Sequence, residues 1–329
     1  MCKRCQEKPV YKLTNGRQFC SKCFTRYYER KVYKTIKKYN LIDKGDRIAV
    51  AASGGKDSTT LLHLLKKFSR EGKFCKIEAV AIDEGIHAYR DKTLRDLKAF
   101  CKKEKIKLHI FSYKKEFGFS LDEALKLVQK KGIKLTSCNI CGVLRRYLIN
   151  KKSRDLGFNK VATGHNLDDE AQTILMNQFK GNVSLSAKLG PWSGVSKEKA
   201  FAQRIKPLYF CTEKENMIYS FINKIVPGFV ECPNQQSYRF AIRDFLNKFE
   251  AQNPGVKQAI VQGFLEVLPL LKERFGPGEK GKKLSKGGKE INVLRSCAKC
   301  GEPASNEVCK ACEILGVLKK IKYIGTRFP

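Results

Sequence analysis

A short run, Ser53-Gly54-Gly55-Lys56-Asp57-Ser58, carries the groups needed to hold phosphate. Two glycines permit a tight turn whose backbone N–H groups curl round an anion. Lys56 and the hydroxyls of Ser53 and Ser58 reach phosphate oxygens. The spacing is not that of the Walker loop, which needs four residues between its first glycine and a Gly-Lys-Ser/Thr ending. A second group is Thr163-Gly164-His165-Asn166-Leu167-Asp168-Asp169-Glu170, a glycine turn followed by adjacent carboxylates. One of Asp168 and Asp169 can hold Mg²⁺ on a pyrophosphate or act near the reacting base, while the other only caps a helix. The third group is Cys138-x2-Cys141, with no second CxxC close by, and the distant Cys232 in a Cys-Pro context that recurs at iron–sulfur ligands. Three buried free cysteines, or a Cys138–Cys141 disulfide in a persulfide cycle, are the competing readings.

These residues need strands and helices to place them. Strands are predicted at Arg47–Ala52, Ile77–Ile82, Lys107–Phe111 and Lys160–Thr163. Helices are predicted around Leu61–Phe68, Lys92–Lys103, Leu121–Lys130 and Leu144–Leu156. The alternation implies an α/β fold with a parallel sheet covered on both faces. The phosphate loop and the Gly164 turn then sit at carboxyl ends of strands, where open sheets bind ligands. Ala51, at the end of the first strand, and Ile82, whose backbone groups can read an adenine edge, complete the nucleotide site. Beyond Leu208 the pattern turns helical, with candidates Glu213–Lys224, Phe240–Ala251 and Gly255–Phe275.

The chain has 329 residues and a formal net charge of +34, with Lys+Arg 66 against Asp+Glu 32. Lysines run along its whole length, which favours a large polyanionic partner, nucleic acid first and an anionic membrane second. No apolar run approaches about 18 residues, so no transmembrane helix is expected. The start, Met1-Cys2-Lys3-Arg4-Cys5, lacks the apolar core of a signal peptide. Fourteen cysteines fall mostly in CxxC pairs, which suits metal binding in a reducing, cytoplasmic compartment better than a disulfide scaffold. Cys2, Cys5, Cys20 and Cys23 form one four-thiolate zinc module; Cys297, Cys300, Cys309 and Cys312 form another. A basic aromatic helix follows the first, about Tyr27 to Tyr39, and its tyrosines are expected to be core before they are base-stacking platforms. The expected organisation is a zinc finger at 1–28, a nucleotide-binding domain with a linking helix at 29–212, and a helical extension at 213–275. A Gly/Lys linker at 276–294 and a second zinc finger at 295–329 complete it.

The loop resembles the PP-loop of ATP pyrophosphatases, which split ATP between its α- and β-phosphates and place AMP on an oxygen. Three cysteine ligands to a [4Fe–4S] cluster leave one iron open to hold a sulfide, a Lewis-acid use of the site. Adenylation makes a carbonyl oxygen a leaving group, so the two halves together would replace C=O by C=S. With AIDEGI, SCNICG, TGHNLDDEAQT, RIKPL, ECP and CAKCG…CKAC in addition to SGGKDS, nearly the whole chain resembles the tRNA 2-thiouridine synthetases of the NcsA/TtuA group. The resemblance implies ATP with Mg²⁺, a [4Fe–4S] cluster on Cys138, Cys141 and Cys232, two structural zincs, tRNA as substrate and a homodimer. The sulfur donor would be sulfide or a ubiquitin-like thiocarboxylate protein. Position-54 enzymes of the group generally carry a lysine, thought to assist catalysis, where this chain has Arg145. Position-34 enzymes tend to carry an Arg-Arg pair, matched by Arg145-Arg146, so wobble uridine 34 is the expected target. Tyr147 and the Glu231-Cys232-Pro233 context are closer to the position-54 proteins. Two rivals are a lysidine-type PP-loop ligase, which needs no cluster cysteines, and a zinc-ribbon RNA-binding protein with a vestigial loop.

Overall fold

The computed structural model describes residues 1–2, 5–72, 75–193, 202–225, 232–234, 238–275, 295–304 and 306–324. The expected Gly/Lys linker at 276–294, and Lys3, Arg4 and Glu231, lie outside the described residues.

The chain opens with a small hairpin, β1 (Tyr11–Lys12) and β2 (Gln18–Phe19), and a long helix, α1 (Ser21–Lys38). Next come β3 (Arg47–Ala51), α2 (Lys56–Gly72), β4 (Lys76–Asp83), α3 (Tyr89–Lys103) and β5 (Leu108–Ser112). Then follow α4 (Tyr113–Phe117), α5 (Leu121–Lys130), α6 (Ser137–Asp155), β6 (Lys160–Ala162), α7 (Leu167–Phe179) and α8 (Val183–Ser186). β7 (Trp192–Ser193), β8 (Gln203–Ile205), α9 (Glu213–Ile222), α10 (Tyr238–Gln252) and α11 (Val256–Phe275) complete the body. A second hairpin, β9 (Arg295–Ser296) and β10 (Pro303–Ala304), leads into α12 (Lys310–Ile324).

The central sheet has the order β5-β4-β3-β6-β8-β7, parallel except for β7. β3 is central because Ile48, Ala49 and Val50 are fully buried, as a strand covered on both faces requires. The chain winds outward from β3 through β4 to β5, then crosses back to β6 on the other side. The switch point therefore falls between β3 and β6, whose carboxyl ends carry the two glycine turns. The α/β expectation holds, and the four predicted strands are all present. The antiparallel edge, β7 with β8, was not anticipated.

Several helices start earlier than predicted, α2 and α6 among them. α2 begins at Lys56, directly from the phosphate loop. α6 begins at Ser137 and not near Leu144, because the Thr136 hydroxyl accepts the Asn139 N–H and caps it. Cys138 and Cys141 thus lie in the first turns of a helix.

Both cysteine modules dock on this body. α1 runs unbroken from Ser21 past residue 28 and packs on α9. Tyr28, fully buried, stacks on Tyr219 at 4.5 Å, and Lys31 pairs with the buried Glu215 at 2.7 Å. Tyr28 is therefore a core residue. At the other end, Ala311, Ile314 and Leu318 of α12 join Ile140, Leu144 and Leu148 of α6 in one apolar cluster. Glu302 receives Asn150 Nδ2 at 2.8 Å and pairs with Arg154.

Candidate active site at the sheet switch point

The phosphate loop is closed by its own serines. Ser58 Oγ accepts the Ser53 N–H at 3.1 Å and donates to the Gly55 carbonyl at 3.1 Å, with Ser53 Oγ 3.0 Å away. Gly54 has φ +83°, and a Cβ there would lie 2.3 Å from the Thr93 carbonyl oxygen. A Cβ on Gly164 would lie 2.9 Å from the Ser58 backbone nitrogen. The two glycine turns are thus in van der Waals contact, as their places at adjacent strand ends demand. Ala51 ends β3 immediately before the loop.

Lys56 and Asp57 open α2 and are both tied to α9. Lys56 Nζ lies 2.5 Å from Glu213 and 3.2 Å from Asp57, so the ammonium stays charged although burial opposes this. Asp57 accepts Asn216 Nδ2 at 2.6 Å; burial chiefly raises its carboxyl. Asn216 in turn accepts the Tyr28 hydroxyl at 2.5 Å, which links α1 to the loop.

The adjacent aspartates of α7 have different surroundings. Asp168 is buried, accepting the Glu213 N–H at 2.8 Å and Lys257 Nζ at 2.5 Å. It holds the start of α9 and neutralises Lys257. Asp169 completes a capping box with Asn166, yet its side chain is about a third exposed to a cleft. Burial pushes its carboxyl up to about 7; Arg239, 3.7 Å away, opposes the shift and Asp57 adds to it.

A buried chain of charges leads from the loop to the mid-chain cysteines. Arg90, 3% exposed, donates to the Ser53 carbonyl and, through Nη2, to the Ile82 carbonyl, both at 2.5 Å. Its Nε lies 2.8 Å from Glu84, whose other oxygen is 3.4 Å from Arg145. The Ile82 carbonyl is therefore already engaged by Arg90. Arg145 follows Cys141 by one helical turn; burial opposes its charge, but Cys141 and Glu84 outweigh that and favour the cationic form. Cys138 Sγ lies 3.6 Å from the Asn234 carbonyl oxygen, which brings the Cys232 segment to α6. Burial pushes the Cys141 thiol to about 11, Arg145 opposes, and the thiol also senses Cys232 and Cys138.

Glu84, Arg90, Asn216 and Lys257 were not singled out from sequence. Glu84 stands inside the quoted AIDEGI motif, but its partner Arg90 carries no motif signal. His165 was quoted without a role. Its side chain is exposed, with Nδ1 2.9 Å from Thr163 Oγ1.

The donor sets fit their expected metals. In each four-cysteine module all sulfurs lie within 4.8 Å of one another. Pairs such as Cys5–Cys23 and Cys300–Cys309, both at 3.7 Å, match the edge of a tetrahedron with Zn–S of about 2.3 Å. Burial raises the Cys297 thiol, but N–H donors of Cys309 and Lys299 outweigh it and hold the thiol at about 6. Cys138, Cys141 and Cys232 are neighbours but do not form such a tight group among the described residues. Wider spacing suits ligands on different irons of one cluster better than ligands of one ion.

The PP-loop domain model matches residues 25–249. A probable sulfurtransferase of Methanocaldococcus jannaschii is 33% identical over 98% of this chain and 89% of its own. The tRNA-5-methyluridine(54) 2-sulfurtransferase of Pyrococcus horikoshii is also 33% identical, over 98% of this chain and 96% of its own. Cytoplasmic tRNA 2-thiolation protein 1 of Saccharomyces cerevisiae is 33% identical over 97% of this chain and 87% of its own. Among solved structures, the U34-tRNA thiolase NcsA from Methanococcus maripaludis, with its [4Fe-4S] cluster, superposes with a TM-score of 0.76 at 27% identity, covering 96% of both chains. No described helix is long and apolar enough to cross a membrane. The chain belongs to the PP-loop family of tRNA 2-thiolation proteins.

Proposed function

We propose that this chain converts a tRNA uridine to 2-thiouridine in the cytoplasm, using ATP with Mg²⁺ to activate O2 and sulfur delivered at Cys138, Cys141 and Cys232. The carrying observation is the Ser53–Arg90–Glu84–Arg145 chain, which joins the phosphate loop to the cysteine helix through two buried side chains. A lysidine-type ligase has no use for such a connection.

The loop amides, Ser53, Ser58 and the amino end of α2 would cradle the triphosphate. Uridine O2 attacks the α-phosphorus and pyrophosphate leaves, its charge met by Lys56, which would exchange Glu213 for phosphate oxygen. Asp169 is the aspartate free to serve Mg²⁺ or the base, since Asp168 is occupied by Lys257 and the start of α9. In the second step sulfur bonds to C2 and AMP departs with the former O2. When bound to the three cysteines, a [4Fe–4S] cluster supplies an open iron that can hold sulfide. Arg145 would stabilise charge beside Cys141 in both steps. Sulfide or a thiocarboxylate protein is the donor, and the working form is a homodimer.

Wobble uridine 34 is the favoured target, supported by the similarity to the U34 thiolase along 96% of the chain and by the Arg145-Arg146 pair. Position 54 is the second reading, supported by 33% identity to the position-54 enzyme. Mass spectrometry of nucleosides from tRNA of a deletion strain separates them. Loss of thiolated uridine 34 is expected, and loss at position 54 alone would overturn the choice. Cys138→Ala, Cys141→Ala and Cys232→Ala are each expected to abolish cluster absorbance and thiolation after anaerobic reconstitution. Thiolation retained in all three refutes the cluster mechanism.

A further inference from the structure

The RIKPL motif holds two cations on β8 that are treated differently. Lys206 is buried and neutralised by Glu170 at 2.8 Å. Arg204, two residues earlier, has no carboxylate partner among the described residues. Its Nη2 lies 3.4 Å from the Arg146 backbone carbonyl on α6. Arg146 also lacks a carboxylate partner there; its guanidinium folds back over the first turns of α6, 3.4 Å from where a Gly142 Cβ would stand. The other arginines of the cleft are answered: Arg90 and Arg145 by Glu84, Arg239 by Asp169.

Two unanswered guanidinium groups side by side are costly. Burial and the Arg146 charge together pull the half-buried Arg204 down to about 10, while Arg146 itself is exposed. Nothing in the fold requires this charge excess, since the buried Lys206 beside it is fully paired. An anion with several acceptor oxygens relieves it, and a planar guanidinium fork fits phosphate. ATP already has the serines, Lys56 and the start of α2. Arg146 lies on the helix of Cys138 and Cys141, where the target nucleotide must come.

We propose that Arg146 and Arg204 form a fork for a backbone phosphate of the RNA substrate, next to the uridine that is modified. This rests on the proposed tRNA substrate. The fork positions the nucleotide and takes no part in bond making. Phosphate contacts of this kind set register without reading sequence.

The test is binding of an unmodified tRNA transcript to the full chain over a salt series, with ATP binding as the second arm. Arg146→Gln and Arg204→Gln should each weaken tRNA binding about tenfold near 0.1 M salt. Each should also reduce the slope of log K against log salt by about 1, with ATP affinity unchanged. Arg146→Lys should keep most of the slope, because the charge is retained. If Arg204→Gln unfolds the chain, Arg146→Gln, on an exposed side chain, still decides the question. An unchanged slope in the variants overturns the fork. Loss of ATP affinity with tRNA binding intact overturns it too, by assigning the phosphate to ATP. A wild-type chain that binds tRNA but thiolates nothing refutes the reaction and leaves the fork standing.

Discussion

Asp168→Asn and Asp169→Asn are neighbouring substitutions of the same kind with opposite expected outcomes. Asp168 neutralises Lys257 at 2.5 Å, and both side chains are only 9% exposed. Removing one charge of a buried pair costs about 3–5 kcal/mol, because the other charge stays behind in a poor solvent. Asn247 Oδ1, 2.6 Å from Lys257 Nζ, offers only a neutral acceptor. The thermal midpoint should fall by roughly 5–10 °C for a chain of this size. The asparagine can still accept the Glu213 N–H, so the fold survives in weakened form. Asp169→Asn keeps an oxygen for the Asn166 N–H of the capping box, so it should not destabilise the chain, and above about pH 7, where it removes the raised carboxylate, it should stabilise it. Pyrophosphate release should nonetheless drop about 10²–10⁴-fold if the carboxylate acts as a base. Thermal melts and a pyrophosphate-release assay on both variants decide the matter. Equal destabilisation by the two, or a stable but inactive Asp168→Asn, refutes the division of labour.

Three further expectations concern other parts of the molecule. Because burial raises the Asp169 carboxyl to about 7 while the unfolded value is about 3.9, the folded chain binds an extra proton between these pH values. Its contribution to stability in Mg²⁺-free buffer therefore falls as pH rises through that window, and Asp169→Asn should remove this slope in pH-dependent denaturation. Activity has the opposite trend, declining as pH drops below about 7. Gly164→Ala presses a Cβ to 2.9 Å from the Ser58 nitrogen, so the phosphate loop must shift. A loss of about 1–3 kcal/mol in stability and a weakened ATP titration should follow, whereas an unaltered titration contradicts the contact. Elemental analysis should find two zinc ions per chain, and Cys309→Ser should lower both the zinc content and the melting temperature, because α12 is part of the core of α6.

The parts legible in the sequence are those fixed by local rules. Ile48 to Val50 announce a buried strand, Gly54 a turn that excludes side chains, and the CxxC spacings announce metal knuckles. The start of α6 was misjudged by several residues, because the Thr136 cap outweighs a weakly amphipathic first turn. The roles of Asp168 and Asp169 could not be separated, since the partner that occupies Asp168, Lys257, is 89 residues away. Arg204 lies on a three-residue strand, too short to show any period. Arg90 and Glu84 become a unit only when α3 folds back over the end of β4.

The Tyr28–Asn216–Asp57 hydrogen bonds, with Lys56 held by Glu213, bind the phosphate loop to a helix that is made about 160 residues later. During synthesis, β3 and the loop leave the ribosome long before α9 exists, and long-range closures of this kind are slow to form. A nascent chain that ends before Glu213 has the loop's glycines and serines but neither Glu213 for Lys56 nor Asn216 for Asp57. An ordered nucleotide site is thus expected only late in translation, once α9 has docked on α1. An N-terminal fragment released early would carry the full phosphate signature and still lack an ordered nucleotide site.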